Sequence, residues 1–202
     1  AGKAAWQMAH AARACLQDNF CGGVVVTKYG HVKGEIADVA CFEGGHPVPD
    51  ENSLRGTDAA LALTEDLTES VTVVFLLSGG GSALFEKPLL PLAELQDVTN
   101  QLLAAGADIV EINTIRKRLS AVKGGRFARH CAPAQVFAVV LSDILGDPLD
   151  MIASGPAYPD SSSCAQALDI AKRYGLRLSE RAWGLLAQET PCLLYTSDAA
   201  DE

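Results

Sequence analysis

Along the chain, unbroken apolar runs alternate with segments whose apolar positions recur every three or four residues, the signature of strands interleaved with helices. Residues 3–17 carry Trp6, Met8, Ala9, Ala12 and Leu16 among many alanines, and such small side chains let a helix lie close against a sheet. Gly23-Val24-Val25-Val26-Thr27 is a β-branched run of the kind found in a parallel strand buried on both faces. A weaker strand is predicted over 36–42. Two prolines make 43–50 a loop, because they remove donors and restrict their predecessors. Asp50 then serves as N-cap of a helix over 51–63. The clearest strand is 71–77, apolar except for Thr72, and it stops at Ser78-Gly79-Gly80-Gly81-Ser82. Leu92, Leu95, Val98 and Leu102 predict an amphipathic helix over 92–105 that ends at Gly106. A further helix from Asp108 carries Ile109, Ile112, Ile115 and Leu119, is interrupted at Lys123-Gly124-Gly125, and resumes over 126–130. Residues 136–141 form another buried strand, 142–156 a long polar loop, and 163–174 and 179–188 two more helices.

Helices alternating with strands, joined by right-handed crossovers, predict an α/β fold: a three-layer α/β/α, Rossmann-like domain with a mostly parallel sheet. At 202 residues, 49% of them apolar, the chain has enough side chains for one such core. Both ends look cut. A small-residue turn before a helix ordinarily follows a strand, and none precedes Ala1. The segment from Cys192 onward resembles translated adapter sequence. The expected organisation is therefore a single domain over 1–190 that lacks its first strand, followed by a non-native tail over 191–202.

Charge removes two classes of partner. With 16 Lys+Arg against 25 Asp+Glu, the formal net charge of −9 leaves no broad cationic footprint for nucleic acid or an anionic membrane. The longest aliphatic or aromatic run, Val73 to Leu77, falls far short of the roughly 20 residues that span a bilayer. Six cysteines at wide, irregular spacings, several inside apolar segments, read as reduced thiols and point to the cytoplasm.

Ligands of parallel α/β sheets bind beyond the carboxyl ends of the strands, so the segments leaving the strands are where candidate chemistry lies. Three glycines in Ser78-Gly79-Gly80-Gly81-Ser82 allow positive φ and close approach, and their bare amides can form an anion-binding nest. A tight strand-to-helix turn explains the same glycines, and on the glycines alone both readings stay open. The loop is neither a Walker A motif nor a dinucleotide fingerprint. Lys3, in Gly2-Lys3-Ala4, puts a positive charge at a helix N-terminus, which suits an anionic ligand and disfavours the helix itself. Asp143, Asp147 and Asp150 supply hard oxygen ligands suited to Mg²⁺, although turn chemistry accounts for most loop aspartates. Arg116, Lys117, Arg118, Lys123, Arg126 and Arg129 form a local basic cluster, with Asn113 one turn before Lys117. His46, in its proline-bounded loop, is assigned to the turn. No nucleophile elbow or zinc-protease motif is present.

Taken together, GKAA (2–5), GVVVTKYGH (23–31), GGHPVPDE (44–51), FLLSGGGSALFEKP (75–88), GADIVEINTIRKRLSAVKGGR (106–126) and LSDILGDPLDMIASGPAYPD (141–160) resemble the N-terminal domain of the glycerate 2-kinase family, whose C-terminal region is the MOFRL domain. The resemblance implies a Rossmann-like domain facing the MOFRL domain across an active-site cleft, and phosphorylation of D-glycerate by ATP with a divalent cation, Mg²⁺, to give 2-phosphoglycerate. It implies that Lys3 is the catalytic lysine acting on the phosphates. Ser78, Gly79, Gly80, Gly81 and Ser82 bind phosphate or glycerate oxygens, and Asn113, Lys117 and Lys123 stand on the substrate side. Asp143 with Asp147 holds Mg²⁺ or accepts the hydroxyl proton. The MOFRL domain has no counterpart here, so the fragment itself is expected to be weakly active or inactive. The expected partner is the small substrate, with a homodimer left open. Two other functions remain in view: a hydroxypyruvate reductase, disfavoured by the missing dinucleotide fingerprint, and a non-catalytic module binding a phosphorylated small molecule.

Overall fold

The computed structural model describes residues 1–142 and 149–191. In chain order the elements are α1 (Ala5–Leu16), β1 (Gly23–Lys28), β2 (Val39–Gly44), α2 (Glu51–Leu63), β3 (Thr72–Ser78), α3 (Gly81–Leu84), α4 (Leu92–Ala104), α5 (Ile109–Arg118), α6 (Arg126–His130), β4 (Gln135–Leu141), α7 (Cys164–Arg173) and α8 (Glu180–Leu186). Short 3₁₀ turns occupy Gln17–Asn19 and Ile152–Ser154. No helix among the described residues is long and apolar enough to cross a membrane.

The α/β class and the parallel pairing hold, but the strands form two pairs instead of one sheet. β1 pairs with β2, Gly23 opposite Val39, and β3 pairs with β4, Thr72 opposite Gln135. Ala1 and Gly2 bridge the pairs: Gly2 N–H donates to Val26 O (3.1 Å) and Ser78 N–H to Ala1 O (3.0 Å). β2 begins later than its apolar pattern predicts because Asp38 takes φ 63°, a left-handed turn that no strand tolerates.

Alternation along β1 assigns the layers. Val26 faces α2, where a Cβ on Gly56 would stand 2.8 Å from its Cγ2, so only glycine lets this helix approach so closely. Thr27 faces the other way, its hydroxyl reaching the Lys3 carbonyl at the entry of α1 (3.5 Å). α2 is held at its start as predicted: Asp50 Oδ1 accepts the Ser53 N–H (2.9 Å) in a capping box. On β3, Phe75 and Leu77 enter a core with Phe85, Val122 and Phe127. The three phenylalanine rings stand 4.7 to 5.2 Å apart, tilted or edge-on, as aromatic quadrupoles prefer. The opposite face of this pair carries Val74, Phe137, Val139 and Leu141, all exposed.

The later helices depart from a simple layer. The stripe of Leu95, Val98 and Leu102 on α4 packs with Ile112, Ile115, Ala167, Ile170 and Leu186 from α5, α7 and α8, forming a second core apart from the strands. Between the two cores runs a seam of buried charge. Lys117 Nζ bridges Asp150 (3.1 Å) and Asp160 (3.0 Å), and Arg118 reaches Asp160 (3.3 Å) and Glu189 (3.2 Å). Burial alone would raise the Asp160 carboxyl, yet the Ser162 hydrogen bonds and the Lys117 charge hold it below the usual range.

Candidate active site

The chain turns that meet beyond the carboxyl ends of β2 and β3 bring four sequence segments together. Lys3 follows the short stretch held between β1 and β3. Its N–H donates to Gly79 O (2.9 Å), its carbonyl accepts from His31 Nδ1 (2.8 Å), and its side chain is exposed. The next amide, Ala4 N–H, donates to Ser78 Oγ (3.0 Å). Gly2 must be glycine: at φ 121° a Cβ would lie 2.3 Å from that same hydroxyl. Thus the start of α1 and the end of β3 are laced together, and Lys3 stands over the glycine loop.

Gly80 takes φ 87° and opens α3. A Cβ there would meet the His46 ring at 2.8 Å and Lys3 Cγ at 3.3 Å, so Lys3 and His46 both lie against Gly80. The sequence assigned His46 to a turn only. The signal that would have raised it is position, since it leaves the carboxyl end of β2 as the glycine loop leaves that of β3.

A second wall comes from residues 151–155. Ala153, Ser154 and Gly155 take φ of 53°, 61° and 62°, and two of these three left-handed residues carry a Cβ. Such strain persists where surrounding contacts over-determine it, and it concentrates at functional sites. Here Gly124 N–H and Gly125 N–H donate to Ser154 O (3.1 Å) and Gly155 O (2.8 Å). Ser154 Oγ donates to Asn113 Oδ1 (2.9 Å) and lies 3.4 Å from Ser82 Oγ. Asn113 is therefore connected to the glycine loop through Ser154. Gly81 packs on the strained turn, where its Cβ would stand 2.8 Å from that of Ala153. Gly81→Ala is expected to cost about 1–3 kcal/mol of stability. Ala153→Gly in that background should recover most of it, since it removes the clash. Urea unfolding of the single and double variants measures this, and strictly additive losses would refute the contact.

The other predicted residues are placed differently. Lys123 lies beneath the loop, fully buried, donating to Ser82 O (2.9 Å) and Phe85 O (2.9 Å) and paired with Glu86 at 3.4 Å. Burial pulls its ammonium below the usual lysine range, and Glu86 opposes that shift. Lys117 faces Asp150 and Asp160 in the buried seam and not the glycine loop. Asp143 and Asp147 lie outside the described residues. Among the described residues no cluster of three or more His, Cys, Asp or Glu side chains is placed to hold a metal.

Arg116, which the sequence shows only as part of a basic cluster, is distinct. It is largely buried beside Glu86 and Lys123, its Nε lacks a hydrogen-bond partner, and it forms no ion pair among the described residues. Burial holds its guanidinium below the usual arginine range, with the Glu86 charge opposing.

Residues 1–187 match the protein family described as "Domain of unknown function (DUF4147)". The chain belongs to this family. Among curated relatives, a D-glycerate 2-kinase of Thermotoga maritima is 56% identical over 192 residues, covering 94% of this chain and 46% of that protein. An Agrobacterium vitis protein, named provisionally as a hydroxypyruvate reductase, is 43% identical over 195 residues, covering 95% and 44%. A crystal structure of glycerate kinase from Thermotoga maritima superposes with a TM-score of 0.93 at 56% identity, over 96% of this chain and 47% of that one. The chain thus spans about half the length of the curated relatives it matches.

Proposed function

We propose that this DUF4147 chain supplies the phosphate-facing side of a kinase that phosphorylates D-glycerate with ATP, giving 2-phosphoglycerate. The observation that carries the reading is the contact of Lys3 with the Gly79–Gly81 turn, in a chain 56% identical to a D-glycerate 2-kinase. Phosphoryl transfer asks a protein for position and charge more than for covalent chemistry. Lys3 offers an exposed ammonium, and the amides of Gly79 and Gly80 with the Ser82 hydroxyl offer donors to phosphate or glycerate oxygens. Ser78 contributes through its bond to Ala4 N–H. Asn113 acts through Ser154, while Lys117 and Lys123 act as buried supports. The guanidinium of Arg116, which forms no ion pair among the described residues, would suit the substrate carboxylate, which such a group can hold bidentately. Asp143 and Asp147 are hard oxygen donors of the kind Mg²⁺ prefers. The ion would bridge phosphate oxygens and offset their charge, and Asp143 would alternatively accept the hydroxyl proton.

The reading assigns the chain to the cytoplasm, in keeping with free thiols at Cys15, Cys21, Cys41, Cys131 and Cys164. The name of the Agrobacterium vitis relative favours a hydroxypyruvate reductase as second reading, but the Ser78–Ser82 loop lacks the glycine spacing a nicotinamide dinucleotide requires. Because the matched relatives are about twice as long, the chain alone is expected to be weakly active or inactive. The deciding experiment is ADP formation from ATP, Mg²⁺ and D-glycerate by the complete protein beside this chain. Glycerate-dependent ADP release by the complete protein supports the kinase. NADH-dependent reduction of hydroxypyruvate without ADP release supports the reductase, and binding without either turnover supports a regulatory module.

A further inference from the structure

The main chain at Lys3 is held from two sides. From the β3 side, Gly79 O accepts the Lys3 N–H (2.9 Å) and Ser78 Oγ accepts the Ala4 N–H (3.0 Å). From the β1 side, two groups converge on the Lys3 carbonyl, the Thr27 hydroxyl at 3.5 Å and His31 Nδ1 at 2.8 Å. A carbonyl oxygen can only accept, so this bond puts the ring proton on Nδ1 and leaves Nε2 as the acceptor of the neutral imidazole. The shorter contact is thus made by a side chain 28 positions along the sequence, on the turn that follows β1.

That turn is built to hold the ring still. Gly30 takes φ 76°, and the His31 N–H folds back to Lys28 O (3.1 Å). On the neighbouring strand Glu43 stands opposite Thr27 in the parallel register, so both side chains rise from one face of the pair, the face on which the Lys3 carbonyl lies. Glu43 Oε1 accepts the Val32 N–H (2.9 Å). That bond, with the N–H groups of Gly30 and His31 and the His31 ring adding to it and desolvation opposing, holds the Glu43 carboxyl below its usual range. A carboxylate that gathers the amides of one turn fixes that turn, and here the turn carries His31.

We propose that Glu43 and His31 form a clamp on the main chain of Lys3: Glu43 fixes the 30–32 turn, and His31 Nδ1 holds the Lys3 carbonyl so that the lysine stem lies along the glycine loop. His31 is then a positioning residue that acts through Lys3. An exposed lysine keeps its rotamer freedom, so the fold can fix only the point from which the stem starts. That point matters, since a misplacement of about 1 Å can cost on the order of a hundredfold in rate. The clamp does not depend on which reaction the protein catalyses, whereas its effect on turnover rests on the kinase reading.

Two measurements test it. In this chain, hydrogen exchange at the amides of Lys3 and Ala4, followed by NMR, reports the clamp without any substrate. His31→Ala should speed both by about fivefold to tenfold, the effect of losing one hydrogen bond of ordinary strength. His31→Asn should leave them near the original rate, because the asparagine Nδ2 donates from the place of the imidazole Nδ1. Glu43→Ala should speed them too, and should add little to His31→Ala, since it acts through the same ring. In the complete protein, ADP release with ATP, Mg²⁺ and D-glycerate reports the consequence. His31→Ala should lower kcat by about tenfold with little change in KM for glycerate, and His31→Asn should restore most of it. In a Lys3→Ala background His31→Ala should cost nothing further, whereas a merely structural loss would lower both backgrounds alike. Unchanged exchange in His31→Ala, or equal kcat losses in the two backgrounds, overturns the proposal. So does a His31→Asn variant that restores exchange but not kcat, which would give Nε2 a part in the chemistry itself. Exchange as expected, beside a complete protein that releases no ADP, upholds the clamp and removes the kinase reading.

Discussion

Lys3→Ala in the complete protein is expected to lower kcat for D-glycerate phosphorylation by about two to three orders of magnitude, the loss typical when one preorganised charge or donor is removed from a developing anion. The side chain is exposed and its backbone bonds to Gly79 and His31 survive truncation, so folding should be unaffected. KM for glycerate should change little, because an interaction made mainly in the transition state appears in turnover and not in ground-state binding. Lys3→Arg keeps the charge on a longer, planar head and should recover only part of the rate. Initial-rate kinetics at saturating ATP separate these outcomes. Unchanged kcat in Lys3→Ala would remove Lys3 from the reaction, and a rise confined to KM would make it a binding residue only.

Lys123→Met is expected to destabilise this chain by about 3–5 kcal/mol, the range measured when one partner of a buried ion pair is removed. The reason lies in what remains. Glu86 is fully buried, its Oε2 has no hydrogen bond among the described residues, and the Lys123 ammonium stands 3.4 Å from it, close enough for an ion pair, with the Arg116 guanidinium nearby. Without Lys123 that carboxylate has no ion-pair partner among the described residues, and the carbonyls of Ser82 and Phe85 lose their common donor. Glu86→Gln added to Lys123→Met should recover part of the loss by removing the orphan charge, while the two carbonyls stay unpaired. Urea unfolding reads both effects. A loss under about 1 kcal/mol in the single variant would mean that the pair does not hold the loop.

The buried seam makes the same point about what a linear pattern conveys. A run such as Arg116-Lys117-Arg118 reads in sequence as a solvated helix face or an anion site. In the fold Lys117 and Arg118 are fully buried and Arg116 largely so, and the carboxylate partners of Lys117 and Arg118 stand 33 to 71 residues away. Nothing in a window of ten residues distinguishes Lys117 and Arg118 from Arg116, which has no ion-pair partner among the described residues.

The sequence by itself determined the elements whose causes are local. β-Branched runs at Val24–Val26 and Val71–Val74 made strands, the three-to-four spacing of Leu95, Val98 and Leu102 made a helix, Asp50 capped another, and the glycines after Ser78 made a sharp exit from β3. It also determined the α/β class and family, because long ordered motifs carry both. Only the tertiary structure decided which polar residues meet. His46 and Lys3 both reach Gly80 because the carboxyl ends of β2 and β3 lie at one end of the fold. Asn113 reaches the glycine loop through a strained serine, and Lys123 is a support because Glu86 is buried beside it. Which strands pair was likewise decided by the fold, since a strand's pattern records how deeply it is buried and not which neighbour it takes.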